Sequence, residues 1–387
     1  FIYKASFICD TILMKRIPVS QPYIDEKEKE CVMDALNRRE ISGFFGSYIS
    51  KFEEAFARYS ECVHGVAVTS GTTALHLALA TLKIGPGDEV LVQTLTNMAT
   101  FFAVHYQGAR PVPIDVEPDT WNIDPNLIEQ KITPRTKAII VVHLYGHPAD
   151  MDPVLAIAKK HNLYVIEDCA EAHGAEYKGK KVGSLGDMGC FSFYANKIIT
   201  TGEGGMITTN NKEFADRARM LKSLAFGATN KFMHQDIGYN YRMTNLQAAL
   251  GLAQTGKIDF IVQKKREIAA FYSDALKGIP ELQLPIEKPY AKDVYWMFYV
   301  VLRGKMLGKR KEFLDELSKR GIEAREGFIP YNMQEIFIDK GFTKAEDCPV
   351  ANDVGLNGFY IPSGPILADE EKSYVANAMK EICRLNF

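Results

Sequence analysis

Lys197 closes the run Phe191-Ser192-Phe193-Tyr194-Ala195-Asn196-Lys197 and is followed by Thr200-Thr201-Gly202-Glu203-Gly204-Gly205. A free lysine amine has a pKa of about 10.4, so neutrality at pH 7 needs an environmental bias of roughly 4–5 kcal/mol. Burial beside a carbonyl supplies that bias by desolvation and allows a Schiff base, whereas a lysine on the surface near a turn stays a solvated cation. A second run, Ile166-Glu167-Asp168-Cys169-Ala170-Glu171-Ala172-His173-Gly174, ends an apolar stretch on an acidic pair. A carboxylate there is costly to desolvate unless a cation meets it; a helix cap or a metal ligand is the other use of such a residue. A third, Thr69-Ser70-Gly71-Thr72-Thr73-Ala74-Leu75, follows an apolar run and opens a helical pattern. Free backbone N–H groups and the helix dipole make such a start an anion site suited to phosphate, or simply a cap and turn.

Together the three are more specific than each alone. A phosphate-binding helix start, an Asp ending a strand and a Lys 29 positions later match what pyridoxal phosphate requires: an anchor, a partner for the ring nitrogen, and an amine for the aldehyde.

Parallel strands would position these groups. From residue 65 to about 210, short β-branched runs alternate with helical patterns: 65–68 then 72–82, 89–92 then 99–106, 138–142 then 153–161, then 163–166. This is the α/β signature of a mostly parallel sheet covered on both faces, and such sheets bind ligands beyond the carboxyl ends of their strands. A helix is expected over 25–38, with Asp25 as N-cap and Glu28 three residues on. Further helices are expected over 212–225 and 243–277. Past Pro280, Pro285 and Pro289 the pattern changes to strand (295–302), helix (309–320), strand (322–324) and a final helix (369–385), a small α+β domain. The expected division is a large domain over 14–277 and a small one over 278–387. The opening segment 1–13 is expected to be a disordered extension ahead of Met14.

Composition narrows the class. The 387 residues allow two or three modules, and 47% hydrophobic with 24% charged residues is ordinary for a globular chain. A balance of 46 basic and 48 acidic side chains leaves no field for gripping nucleic acid. Seven scattered cysteines (Cys9, Cys31, Cys62, Cys169, Cys190, Cys348, Cys383) without a CxxC pair suggest neither disulfides nor a zinc cluster, and a reducing cytoplasm fits best. No stretch approaches the roughly 20 apolar residues that span a bilayer, so no membrane partner is expected.

The motifs VTSGTTALHLAL, GDEVLVQTLT, VHLYGHPADMD, VIEDCAEAHG, FSFYANKIITTGEGGMI and GYNYRMTNLQAALGLAQ resemble those of the DegT/DnrJ/EryC1/StrS sugar aminotransferases, from about Met14 to the C-terminus. The resemblance implies a fold-type I, pyridoxal-phosphate-dependent transferase. It implies that Asp168 keeps the pyridine nitrogen protonated and that Lys197 binds the cofactor and shuttles protons. Gly71 and Thr72 amides, beside Ser70, and the Ser192 hydroxyl would hold phosphate, and Glu171 would sit near the phenolic oxygen. Asn240 would reach the phosphate of a neighbouring subunit, which implies a homodimer with shared sites. No metal is implied. The expected reaction moves an amino group from L-glutamate to a nucleotide-linked 4-keto-6-deoxyhexose, with GDP-4-keto-6-deoxymannose favoured over 3-keto or UDP- and dTDP-linked sugars. A non-catalytic cofactor-binding regulator is the alternative of another class.

Weaker matches concern the sugar. Ser42 and Gly43 correspond to a loop lining its pocket; His143 and Tyr145 follow a strand end near the cofactor, though His143 serves equally as a core histidine. Arg242 is either a nucleotide phosphate ligand or a dimer ion pair. Asn97 stands where the family usually places an aromatic residue over the pyridine ring. Asn332, beside Tyr331 in a loop near the substrate, replaces a common histidine.

Overall fold

The computed structural model describes residues 16–227, 229–234 and 236–385; the expected extension over 1–13 lies outside the described residues. Seven strands form the main sheet: β1 (His64–Val68), β2 (Glu89–Gln93), β3 (Arg110–Ile114), β4 (Thr136–Val142), β5 (Tyr164–Asp168), β6 (Met188–Ser192) and β7 (Gly205–Thr209). Their order is β1-β7-β6-β5-β4-β2-β3. The pairings among β6, β5, β4, β2 and β3 are parallel, and β7 runs antiparallel to both its neighbours. β2, β6 and β7 are buried throughout, as expected for strands covered on both faces.

Eight helices accompany this sheet: α1 (Glu26–Asn37), α2 (Tyr48–Tyr59), α3 (Gly71–Thr81), α4 (Met98–Tyr106), α5 (Met151–His161), α6 (Lys212–Lys222), α7 (Asn245–Thr255) and α8 (Ile258–Leu276). The Asp25 carboxylate accepts from Lys27 N at 2.9 Å and Glu28 reaches back to Asp25 N at 2.8 Å, the reciprocal cap expected from their spacing. α3 carries almost no polar face; nine of its eleven residues are buried, so it is packed into the centre against β6 and β7.

A second sheet comprises β8 (Leu282–Gln283), β9 (Phe298–Leu302), β10 (Arg325–Glu326) and β11 (Gly358–Ile361), antiparallel in the order β8-β9-β11-β10. The helices α9 (Arg310–Lys319) and α10 (Asp369–Ile382) share one apolar core with it, including Phe298, Val300, Phe313 and Met379. Tyr272 of α8 enters that core and donates its hydroxyl to Pro362 O at 2.9 Å.

Several boundaries differ from the sequence reading. The helix expected over 243–277 is two helices, because the chain breaks at Gly256-Lys257, where the Lys257 ammonium meets the carboxylates of Asp25 and Glu28. Ile322 makes only an isolated bridge to Ile17, and pairing resumes at Arg325. Arg110–Ile114 escaped notice because Pro111 and Pro113 argue against a strand. It forms the sheet edge, and the two-residue spacing puts both missing N–H groups on the side that needs no partner. Helix α2 was also missed, although Tyr48, Phe52 and Phe56 recur every four residues and are buried.

Candidate active site

The carboxyl ends of β1, β2, β5 and β6 converge on one cavity of about 300 Å³. After β1 the chain turns into α3. Ser70 Oγ accepts from Thr73 N at 3.1 Å and Thr73 Oγ1 accepts from Ser70 N at 2.9 Å, which closes the cap. The N–H groups of Gly71 and Thr72 are thereby left without protein partners among the described residues and line the cavity. A Cβ on Gly71 would lie 2.7 Å from Ser192 Cβ, so only glycine leaves the hollow between the helix start and the Ser192 hydroxyl open. This hollow has the donors and shape of a phosphate cradle.

The acidic pair at the end of β5 divides between the two faces of the sheet, as successive strand residues must. Glu167 points away from the cavity. Its Oε1 accepts from Leu185 N and Gly186 N and its Oε2 from Gly183 N, each at 2.8 Å, and Oε2 also meets His143 Nε2 at 3.0 Å. The other ring nitrogen of His143 accepts from Ala149 N at 3.1 Å. His143, Glu167 and Cys169 bring ligand atoms within 4.8 Å of one another, but these bonds already occupy the imidazole and the carboxylate. Asp168 faces the cavity. Thr100 Oγ1 donates to its Oδ2 at 2.8 Å and Ala170 N to its Oδ1 at 3.1 Å. Burial pushes this carboxyl above the ordinary range, opposed by those two bonds and by the charge of Lys197. A cationic ring N–H in the cavity would relieve that desolvation.

Lys197 follows β6 in a turn closed by its own N–H to Tyr194 O at 2.9 Å. Its Nζ lies 3.8 Å from Glu171 Oε1. Burial pulls the amine below its ordinary pKa, against the pull of Glu171 and Asp168. Burial also pushes Glu171 up to about 7, opposed by Lys197 and by the N–H of Tyr145, which donates to Glu171 Oε2 at 2.8 Å. Desolvation outweighs mutual attraction, so both groups are driven toward their uncharged forms. For the amine this lowers the cost of giving up its proton, which favours its use as a nucleophile and base.

Of the residues singled out above, Ser70, Gly71, Thr72, Asn97, Asp168, Glu171, Ser192 and Lys197 line the cavity. The Asn97 side chain is committed to capping α4, accepting from Ala99 N at 2.9 Å. The aromatic groups of the wall come instead from Tyr194, Trp296, Phe328 and Tyr360. Four expected substrate contacts stand elsewhere. His143 is held by Glu167 behind the sheet. Tyr145 is buried in a stack on Tyr299, with ring centroids 4.1 Å apart, and only its backbone serves the site. Tyr331 stacks on Phe101 at 4.0 Å. Asn332 is fully buried, accepting from Thr94 Oγ1 at 2.8 Å and donating to Ala345 O at 2.7 Å. A buried amide with its bonds made pins a loop and has none left for a sugar.

Ser42, Gly43, Asn240 and Arg242 do not line the cavity. A Cβ on Gly43 would touch Arg242, whose guanidinium lies 4.4 Å over the Phe44 ring, and Asn240 is exposed. The sequence reading passed over Thr100, Trp296, Phe328 and Tyr360. Thr100 was detectable as a hydroxyl one turn into a helix that follows a strand end; the aromatic three come from distant parts of the chain.

A doubly covered, mostly parallel sheet with a phosphate cradle, a buried Asp and a buried Lys at its carboxyl edge defines a fold-type I, pyridoxal-phosphate-dependent transferase. The model of the DegT/DnrJ/EryC1/StrS aminotransferase family matches residues 22–380, and the chain belongs to that family. It is 44% identical over 368 residues to a GDP-perosamine synthase of Escherichia coli O157:H7, covering 95% of this chain and 99% of that protein. A GDP-perosamine synthase of Caulobacter vibrioides is 41% identical, with coverages of 95% and 99%. Among solved structures, DesV of S. venezuelae superposes with a TM-score of 0.88 at 34% identity, covering 96% of this chain and 99% of that one. The protein is thus a sugar aminotransferase that uses pyridoxal 5'-phosphate. No helix among the described residues is long and apolar enough to cross a membrane.

Proposed function

We propose that the enzyme transfers the amino group of L-glutamate to C4 of GDP-4-keto-6-deoxymannose, producing GDP-perosamine in the cytoplasm. The observation that carries this reading is the match, at 41–44% identity over nearly the full length of both chains, to two GDP-perosamine synthases. Supporting it is a cavity whose Lys197, Asp168 and phosphate cradle suit the cofactor.

Bound there, the cofactor supplies a carbonyl that takes up amino groups and a ring that stabilises the electron pair left when a C–H proton departs. Gly71, Thr72 and Ser192 would hold its phosphate, while Asp168, oriented by Thr100, would keep a proton on the ring nitrogen. Glu171 would serve the cofactor's phenolic oxygen, as the family resemblance implies. Lys197 Nζ would remove the Cα proton of glutamate and, in the return half, deliver a proton to sugar C4. The face from which Nζ approaches C4 sets the configuration of the new amine.

The same reading makes the enzyme a homodimer. Phe44, Phe45, Phe232 and Ile237 are exposed, and the Arg242 guanidinium lies 4.4 Å over the Phe44 ring. A patch of this kind suits a partner subunit, with Asn240 and the Ser42-Gly43 loop completing the neighbour's site.

The test is a panel of GDP-, UDP- and dTDP-linked keto sugars, of both 4-keto and 3-keto type, with product mass and NMR configuration. Turnover of the GDP-linked 4-keto-6-deoxy sugar at least tenfold above the others is expected. Preference for a 3-keto or dTDP-linked sugar would overturn the substrate assignment but leave the family untouched.

A further inference from the structure

Trp296 stands just before β9, about one hundred positions from Lys197 in sequence, yet its indole lies against that lysine. Three contacts define its place. The indole Nε1 donates to Asn196 O at 2.7 Å, fixing the peptide that precedes Lys197. The Lys197 Nζ lies 3.8 Å from the centroid of the indole. The ring is also parallel to that of Tyr145, within 10° and with centroids 6.4 Å apart, and the Tyr145 N–H holds Glu171. Trp296 is 3% exposed. Glu171 Oε1, at 3.8 Å, is beyond hydrogen-bond reach of Nζ, and no hydrogen bond to Nζ exists among the described residues.

We propose that Trp296 is a positioning residue for Lys197, its N–H fixing the lysine-bearing turn and its ring face giving the free amine a resting place. The inference rests on the aminotransferase reading and adds a residue to it. An aminotransferase lysine must detach, carry a proton and return, so its resting contact must attract the ammonium yet release it easily. A carboxylate in direct contact would hold the ammonium by a short, directional bond and raise its pKa. An aromatic face attracts the cation through the ring quadrupole without a bond that must be broken. The hydrogen bond to Asn196 keeps that face in register, so the amine's swing begins from one place.

Two variants separate these parts: Trp296→Phe keeps a face and loses the N–H, and Trp296→Leu loses both. The first measurement uses the protein free of cofactor. Competitive acetylation with acetic anhydride across pH, read at Lys197 by mass spectrometry, gives the amine's pKa and reactivity. Trp296→Leu is expected to lower that pKa by about half a unit to one unit, three- to tenfold in the protonation constant, because apolar surroundings remain while the quadrupole is lost. Trp296→Phe should shift it by less than half as much. In the loaded enzyme, Trp296→Leu should lower kcat at least tenfold with KM for the keto sugar within threefold, and Trp296→Phe should recover part of the loss. An unchanged or raised Lys197 pKa in Trp296→Leu overturns the proposal, as does a rise in KM alone, which would make Trp296 a wall of the sugar pocket. If Trp296→Leu does not fold, Trp296→Phe decides: kcat equal to wild type overturns it. Failure of borohydride to fix pyridoxal phosphate on wild-type Lys197 would instead overturn the underlying reading, which the acetylation measurement does not depend on.

Discussion

Lys197 Nζ and Glu171 Oε1 lie 3.8 Å apart in a cavity where burial drives both toward their neutral forms, with Glu171 pushed up to about 7. An ionised Glu171 favours a protonated Lys197, and a protonated one releases it. The pair therefore couples the charge of the buried amine to pH near neutrality. Replacing Glu171 by Gln keeps the shape and the acceptor for Tyr145 N but removes the titration. In the pH profile of kcat/KM between 5.5 and 9, wild type should show a limb near pH 7 that is absent from Glu171→Gln. Persistence of that limb in the variant would assign it to another group.

Gly71→Ala addresses the phosphate cradle. The added methyl would meet Ser192 Cβ at 2.7 Å, a contact that requires the helix start or the end of β6 to move. Alanine is otherwise well suited to the first turn of a helix, so the unloaded protein should melt within a few degrees of wild type. Affinity for pyridoxal phosphate, measured by spectroscopic titration after dialysis, should fall at least tenfold, a loss of about 1.4 kcal/mol or more. Wild-type affinity would remove the cradle from the phosphate site.

Lys265 offers a test of stability remote from the chemistry. It lies on α8, 3% exposed, and its Nζ donates to Ser363 O at 2.7 Å; burial pulls its pKa down to about 7. In the unfolded chain the amine keeps its proton to about pH 10.4. Between pH 7 and 10 the unfolded state therefore binds more protons than the native one, and this residue makes stability rise with pH; below pH 7 its penalty is constant and complete. Lys265→Met removes the penalty and should stabilise the protein at pH 6.5 by about 1–3 kcal/mol, with a smaller gain at pH 9.5. Urea unfolding at the two pH values decides it; destabilisation at pH 6.5 would show that the bond to Ser363 outweighs the buried amine.

Asn332→Ala separates a loop pin from a sugar contact. The amide ties Thr94 to Ala345 and Asn352, and its loss leaves buried partners unpaired, at a cost of about 1–3 kcal/mol. Thermal melting should show that loss, while KM for the keto sugar stays within threefold. A large rise in KM at unchanged stability would return Asn332 to the substrate site.

Much of this molecule is legible along the chain because parallel α/β architecture couples chemistry to strand ends. Wherever an apolar run stops and a helix pattern starts, the next residues lie at the carboxyl edge. Ser70, Gly71, Thr72, Asp168 and Ser192 are therefore found by reading outward from strands. The Glu167-Asp168 pair shows where that reading stops. The strand period places the two carboxylates on opposite faces, but which face holds the cavity depends on what packs there. Only the folded chain shows the Gly183–Gly186 turn and His143 taking Glu167 and leaving Asp168 for the site.

Residue type and spacing alone therefore pointed to a mostly parallel sheet, to the helix start at Ser70–Thr72 and to Lys197, since these depend on local hydrogen bonding and on hydrophobic period. Tertiary structure alone decided the other half of the site. Trp296, Phe328 and Tyr360 come from segments about 100 to 160 positions beyond Lys197, and nothing in their local sequence distinguishes a wall residue from a core aromatic. The same holds in reverse for His143, Tyr145, Tyr331 and Asn332. Each is buried, and only the packing of neighbouring elements decides whether a buried polar group is satisfied within the core or turned toward a ligand.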